Sequence, residues 1–427
     1  MIKRILVILL MTFCISGCTK KDTRTVVQFS SWGSQSEIEI IKPILAEFEK
    51  ENPDIKIDFL HIPQNYFQKI HLLFASNLAP DVIFINNLSL PIYANAGMLE
   101  PFIAYSQCHP ELVSGSVQQA EAGKIASVSP SSKIQYLLSR NDVDRVFFKK
   151  SLQSLSYKNK LYAVPRDVSN LVVYYNKDLF DKYNVPYPNR YWSFEDFLVF
   201  AQKLTKDTNK DGKPDVFGVS FEEDSFYYLP YLMSEGGGIL SDDLKEQIID
   251  TPQSQKGLHF YSDLRNKYHV APTEAQTGSA TMAQMFLQGK LAMHISGRWL
   301  VPKYREDAKF DWNVINFPSG DKGSIVPLDA SGWAIAKSSK HKQEAMRLIK
   351  YLSSKESIEK FSKSGLIVPA RVDVARGEFL SSQKSQKPKS AKVFIDVIKT
   401  SKPTPVSTNY SEIQDKLKER TNYLFNN

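Results

Sequence analysis

Cysteine is scarce in this chain: three occur in 427 residues, and two of them, Cys14 and Cys18, lie close together at the start. That leaves Cys108 alone, which excludes an internal disulfide framework and a cysteine metal cluster. The seven histidines are dispersed without the short spacings of metal ligands. No Gly-x-Ser-x-Gly elbow, phosphate loop or dinucleotide fingerprint occurs, so no motif assembles a catalytic centre. Beyond the first residues, no apolar run approaches the roughly 20 residues that a membrane-spanning helix needs. The formal charge is +8, but the 54 Lys and Arg are interspersed with 46 Asp and Glu. A nucleic-acid groove needs a basic stripe, so nucleic acid is not an expected partner; a dispersed excess suits a face near anionic lipid.

The chain opens with Lys3 and Arg4, continues through an apolar stretch over residues 5–13, and reaches Ile15-Ser16-Gly17-Cys18. A charged start, a short apolar core and small residues before a cut describe a removable secretory segment. Cysteine at the cut lets the mature end carry acyl chains, and two or more chains anchor stably where one does not. Residues 1–18 are therefore expected to be a lipoprotein signal, with Cys18 the lipidated first mature residue. The body would work outside the cytoplasm, in a periplasm or on the outer face of the cell membrane, tethered to the bilayer. Roughly 400 remaining residues are too many for one core, so two domains are expected.

Residues 25–31 alternate as a strand, and residues 37–50 place Ile38, Ile41, Leu45 and Phe48 on one helical face. Residues 55–60 form the next strand, 66–77 the next helix, and 81–85 a short apolar run of the kind buried in a parallel sheet. Strand and helix alternate, so the class is α/β. From 107 to 133 Ser, Gln, Ala, Pro and Gly dominate and the periodicity vanishes, which reads as a disordered surface insertion. Residues 161–164 and 170–175 are again β-like. Trp192-Ser193 opens a helix, with Ser193 and Asp196 as a capping box and Trp192 and Phe197 as a hydrophobic staple, so Trp192 is assigned a structural role. Further helices are predicted over 281–288, 342–352, 355–363 and 410–424.

Asp207-x-Asn209-x-Asp211-Gly212-x-x-Asp215 spaces oxygen donors around a glycine bend as in the first half of a calcium loop, with Lys213 giving its carbonyl. Gly218 stands where the bidentate Glu belongs, so the loop is complete only if Asp215 or Glu222 substitutes. The run reads either as a structural calcium site or as a polar turn after a helix; no cofactor is otherwise required. Gly236-Gly237-Gly238 lacks the Lys-Ser/Thr of a phosphate loop and reads as a turn beside a cleft. Trp32, Trp299 and Trp333 each stand near a glycine, where backbone can approach a ligand. Aromatic faces stack on sugar C–H faces while nearby polar groups take the hydroxyls, although the same rings serve equally well in a core.

In chain order the sequence also carries residues 27–33, Phe48-Glu49-Lys50-Glu51-Asn52-Pro53, Ala79-Pro80-Asp81-Val82, and Leu161-Tyr162-Ala163-Val164-Pro165. Tyr175-Asn176-Lys177-Asp178-Leu179-Phe180 follows, then Phe286-x-x-Gly289-Lys290-x-Ala292-Met293 with Gly297-x-Trp299, and Ser331-Gly332-Trp333-Ala334-Ile335. Together these resemble the family 1 extracellular solute-binding lipoproteins of ABC sugar importers, relatives of maltose-binding protein.

The resemblance implies a periplasmic-binding-protein-like fold of type II, with two α/β lobes, a hinge and ligand held between them. One lobe would comprise 19–166 and 317–340, the other 167–316 and 341–427, with crossings near 166–170, 316–318 and 333–341. By similarity the first lobe would offer Trp32, Asn86, Asn87 and Trp333. The second would offer Asp224, Phe226, Gly236, Gly237, Trp299 and Tyr410, with Arg166 and Asp167 at the hinge. Leu88 and Ser169 stand where maltose-binding protein has acids, so its pocket is not copied here. The implied protein is a monomer, not an enzyme, that binds a mono- or oligosaccharide and serves permease subunits and their ATPase. Arg166 and Arg298 would instead serve a polyol phosphate or other anion. Asp167 and Asp224 would be the carboxylates of a more remote alternative, a secreted glycoside hydrolase.

Overall fold

The computed structural model describes residues 22–104, 143 and 145–426. The signal segment with Cys18 and the insertion at 107–133 lie outside the described residues.

Strand β1 (Thr25–Ser31) pairs in parallel with β2 (Ile55–His61) and with β3 (Val82–Asn86). The alternation in β1 buries Val27 and Phe29. The helix Gln35–Glu51 buries Ile38, Ile41, Ile44, Leu45 and Phe48, and starts at a capping box made by Ser34 and Glu37. Strands β4 (Ile103–Ala104), β5 (Ser156–Tyr157) and β6 (Lys160–Leu161) form a small separate sheet. Next come β7 (Val164–Asn170), in the large sheet, and β8 (Val172–Asn176), in another; only Leu171 separates them. The stretch expected as one β run over 170–175 is thus where the chain passes between lobes.

Strands β9 (Phe217–Val219), β10 (Leu291–Ser296) and β11 (Trp312–Ile315) complete the second sheet in the order β11-β8-β10-β9. The chain then returns as β12 (Pro327–Ile335), β13 (Val368–Pro369) and β14 (Lys402–Pro403). The large sheet runs β13-β7-β12-β3-β1-β2, with β14 on β12. The architecture is two-lobed α/β, as the sequence implied. The partition of the C-terminal part differs. Helices Lys342–Leu352 and Lys355–Lys363 pack on Gln35–Glu51, and β13 and β14 pair in the first sheet. Residues 341–403 therefore do not all belong with the second lobe, whereas the last helix, Tyr410–Asn426, packs on Pro252–Asn266 of that lobe.

Local chemistry sets the second lobe's helices. Ser193 and Asp196 form the capping box, and the Trp192 and Phe197 rings meet edge to face at 5.6 Å, with Trp192 buried. In the first sheet, Ser331 lies opposite Asp167 and Gly332 opposite Pro165, so Arg166 is the extra residue of a β-bulge in β7. Glycine at 332 is required, because a Cβ there would lie 2.2 Å from the Val164 carbonyl oxygen.

Candidate functional site

Strand register locates the cleft. Strands β1, β2 and β3 are parallel and end at Ser31, His61 and Asn86. Antiparallel β12 brings Ser331 beside both Asn86 and Asp167. This carboxyl edge is where open α/β sheets hold ligands. Across the Leu171 link, Val172 opens β8 opposite Ser296, the last residue of β10. Trp299, three residues later, is thereby placed beside the hinge. Strand β9 runs parallel to β10, and its exit leads to Glu222 and Asp224 on the same edge.

On the first lobe, Trp32 is half-buried against Phe84 at 4.3 Å, Tyr66 at 5.0 Å and Phe67 at 5.4 Å. The bulge re-aims Arg166 under this cluster, with its guanidinium 4.1 Å from the Phe84 ring centroid. Arg166 donates to Asp167 and, at 3.4 Å, to Glu37. Burial works against its charge, but Asp167 and Glu37 outweigh burial and hold it above the usual guanidinium range. The Arg166 charge is therefore neutralised by its two carboxylate partners. Asn86 accepts from the Ser89 amide at 3.0 Å, which fixes the loop after β3. Asp329 in β12 accepts from Asn87 at 3.0 Å and Thr404 at 2.6 Å. Burial raises its pKa, against the lowering effect of the Thr404 and Asn87 hydrogen bonds.

On the second lobe, Asp224 is exposed and caps the helix Ser225–Ser234, accepting from the Phe226 amide at 2.9 Å. Phe226 and Trp299 are half-buried with centroids 6.2 Å apart. A Cβ on Gly297 would fall 1.8 Å from the Trp299 ring, so the Gly-x-Trp spacing exists to seat that ring. Burial and the neighbouring Asp224 push Glu222 up to about 7. Burial, then Glu222 and Asp224, push Tyr227 up to about 12. Tyr410, at the start of the last helix, is raised by burial and by Asp329 and Asp224. Ser225 donates to Gln414 at 2.6 Å, which holds the start of the last helix beside the Asp224 loop.

Several expected residues lie elsewhere. Trp333 is 1% exposed, packed against Phe84 of β3 and Phe361 of the helix Lys355–Lys363 with centroids at 6.1 Å, which places it in the core of the first lobe. Arg298 is buried below Trp299, donating to Gln383 at 2.8 Å with its guanidinium 4.6 Å from Phe379 and 5.0 Å from Phe394. At 2% exposure it is closed off from the cleft, although its Nε and Nη1 have no hydrogen-bond partner among the described residues. Asn87 ties β3 to β12 by exchanging hydrogen bonds with the Ala330 backbone, so its role is to hold the cleft edge. Gly236 and Gly237 follow the far end of the helix capped by Asp224, roughly 15 Å from it for ten residues at 1.5 Å each. There Gly237 lets Ser254 approach, since a Cβ would sit 2.4 Å from its hydroxyl.

The 207–215 run is closed by its own hydrogen bonds. Asp207 accepts from the amides of Lys210, Asp211 and Gly212, Asp211 from that of Lys213, and Asp215 from Thr208. Among the described residues no group of three or more His, Cys, Asp or Glu is arranged to hold a metal ion.

Sequence reasoning missed Asp329, Ser331 and Tyr227. Asp329 and Ser331 carry a weak signal as polar positions alternating within the otherwise apolar β12. Tyr227 shows its role only once the loop is folded against Ser296. The site offers aromatic faces and hydrogen-bond acceptors from two lobes; burial raises the Asp167 carboxyl above the usual carboxylate range although Arg166 lies beside it.

A Bacillus subtilis maltodextrin-binding protein is 24% identical over 391 residues, covering 88% of this chain and 79% of its own. A maltooligosaccharide ABC transporter solute-binding lipoprotein of Streptococcus pneumoniae is 23% identical over 277 residues, or 62% of this chain and 60% of that one. The solved structure of an ABC substrate-binding protein from Listeria monocytogenes in complex with cycloalternan superposes with a TM-score of 0.76 at 24% identity, covering 94% of both chains. Residues 44–391 match the family described as bacterial extracellular solute-binding protein, and with most of its length matched the chain belongs to that family.

Proposed function

We propose that this protein captures a neutral mono- or oligosaccharide between its lobes and delivers it, without chemical change, to the permease subunits and ATPase of an ABC importer. The observation that carries this reading is the composition of the cleft. Each lobe presents a half-buried indole, Trp32 and Trp299, beside acceptors such as Asp224 and Asp329. Arg166 is neutralised by Asp167 and Glu37, and Arg298 is withdrawn. An anionic solute therefore finds no free cation among these residues, which disfavours the polyol phosphate alternative. The sugar-binding names of the relatives point the same way. The protein works as a monomer anchored through acylated Cys18, and among the described residues no helix is long and apolar enough to cross a membrane. Ligand bridging both lobes favours the closed state only through its greater affinity for that state.

A thermal-shift screen of the full mature chain against neutral sugars and sugar phosphates tests this. A sugar at 100 times its dissociation constant should stabilise the fold by about 2.7 kcal/mol. A response confined to phosphorylated compounds, or to none, would overturn the neutral-sugar reading.

A further inference from the structure

The charge excess that is dispersed over most of the chain gathers between β13 and β14, where residues 384–402 carry six lysines and a single acid, Asp396. Just before them lies a short π-helix, Ala375–Phe379. Such turns are rare and recur at functional sites. Arg376 stands on its exposed side, whereas Phe379 is buried and, with Phe394, holds the Arg298 guanidinium.

A hollow of about 540 Å³ separates this part of the chain from the start of the helix Lys149–Ser154 in the first lobe. It shares no residue with the cleft. The floor is apolar, made by Phe148, Leu380, Ile395 and Ile398, and both isoleucines are buried. The rim is cationic, with Lys149, Arg376, Lys392 and Lys399 all exposed along it. Lys150 belongs to the wall, donating to the carbonyls of Ile398 at 2.9 Å, Lys399 at 2.7 Å and Ser401 at 2.5 Å. Asp396, the one carboxylate in the lining, accepts from Lys392 at 2.5 Å and lies 3.9 Å from Lys399. Lys149 and Arg376 have no ion-pair partner among the described residues.

Charges of one sign around an apolar wall focus their field inward and raise the local concentration of an anion. A guanidinium can take two phosphate oxygens at once, and an ammonium beside it adds a point charge. The volume lies within the range of pockets that enclose a small molecule. A neutral sugar would leave the rim charge unanswered, and a wholly polar anion would leave the floor uncovered. We infer that this hollow is a second ligand site, separate from the cleft, for a phosphate ester with an apolar body. The phosphate lies at the Lys149 and Arg376 rim and the apolar part on Phe148 and Leu380.

Titration of the full unlipidated chain from Thr19 onward with phenyl phosphate at low salt, followed by nuclear magnetic resonance, tests this. Inorganic phosphate and benzyl alcohol serve as the head alone and the apolar body alone. Phenyl phosphate should bind at least about tenfold more tightly than either. Lys149→Glu and Arg376→Glu, at exposed positions and with folding verified by melting curves, should each weaken it about tenfold. Lys418→Glu, an exposed charge on the last helix, should not. No binding of phenyl phosphate, a control that binds as tightly, or rim variants no weaker than Lys418→Glu overturns the site and leaves the sugar reading of the cleft untouched. Vesicles separate two sources of the ester. Retention on phosphatidylglycerol vesicles, displaced by phenyl phosphate and lost in both rim variants, assigns the site to a lipid headgroup; phenyl phosphate binding without such retention assigns it to a free small molecule.

Discussion

The three tryptophans that look alike in sequence part company in their surroundings, and substitution should separate them. Trp299→Ala removes a half-buried ring resting on Phe226, so ligand affinity should fall about tenfold or more while the melting temperature barely moves. Trp333→Ala empties the first lobe's core and should cost about 3–5 kcal/mol in urea unfolding. Glu222 makes a pH-dependent case. Its folded pKa is raised from 4.5 to about 7, chiefly by burial, so the native state binds its proton more tightly than the unfolded chain. Its contribution to stability therefore falls as pH rises from 4.5 to 7 and stays low above. Glu222→Gln should remove this loss and stabilise the protein by about 2 kcal/mol at pH 8, with little effect at pH 4, read from denaturation curves at both. A variant equally or less stable than wild type at pH 8 would mean that the carboxylate is better solvated or paired than its surroundings indicate.

At the scale of elements, Gly332 controls how β12 meets β7. A Cβ there would press on the Val164 carbonyl, so Gly332→Ala should part the strands at the bulge, lower stability by about 1–3 kcal/mol, and weaken ligand binding by displacing Arg166 and Asp167. A neutral effect on both would show that the strands can yield. Local patterns made the elements readable: the alternation of β1, the apolar face of Gln35–Glu51, and the Ser193–Asp196 box occur in the sequence much as they occur in the fold. The cleft was legible where a motif fixes its own geometry, as Gly297-x-Trp299 does. Trp333 was not, because the rings that cover it, Phe84 of β3 and Phe361 of a later helix, come from elsewhere in the chain. Arg298 was misread for a similar reason: its partner Gln383 comes from a distant helix. The lobe boundary was obscured because β13 and β14 each pair for only two residues, too short to leave a period.

For the whole molecule, the single-residue link at Leu171 and the separate sheets on either side describe lobes able to rotate about a narrow join. Sugar that contacts both should reduce the radius of gyration in small-angle scattering, whereas a ligand bound to one lobe would leave it unchanged. The sugar reading itself is tested most directly by calorimetric titration of the mature chain with the neutral oligosaccharide that gives the largest thermal shift, on wild type and Trp299→Ala side by side. One site per chain in the wild type, with affinity lowered at least about tenfold in the variant, is the expected result. Undiminished affinity in Trp299→Ala would contradict the claim that sugar is held in the cleft between the lobes.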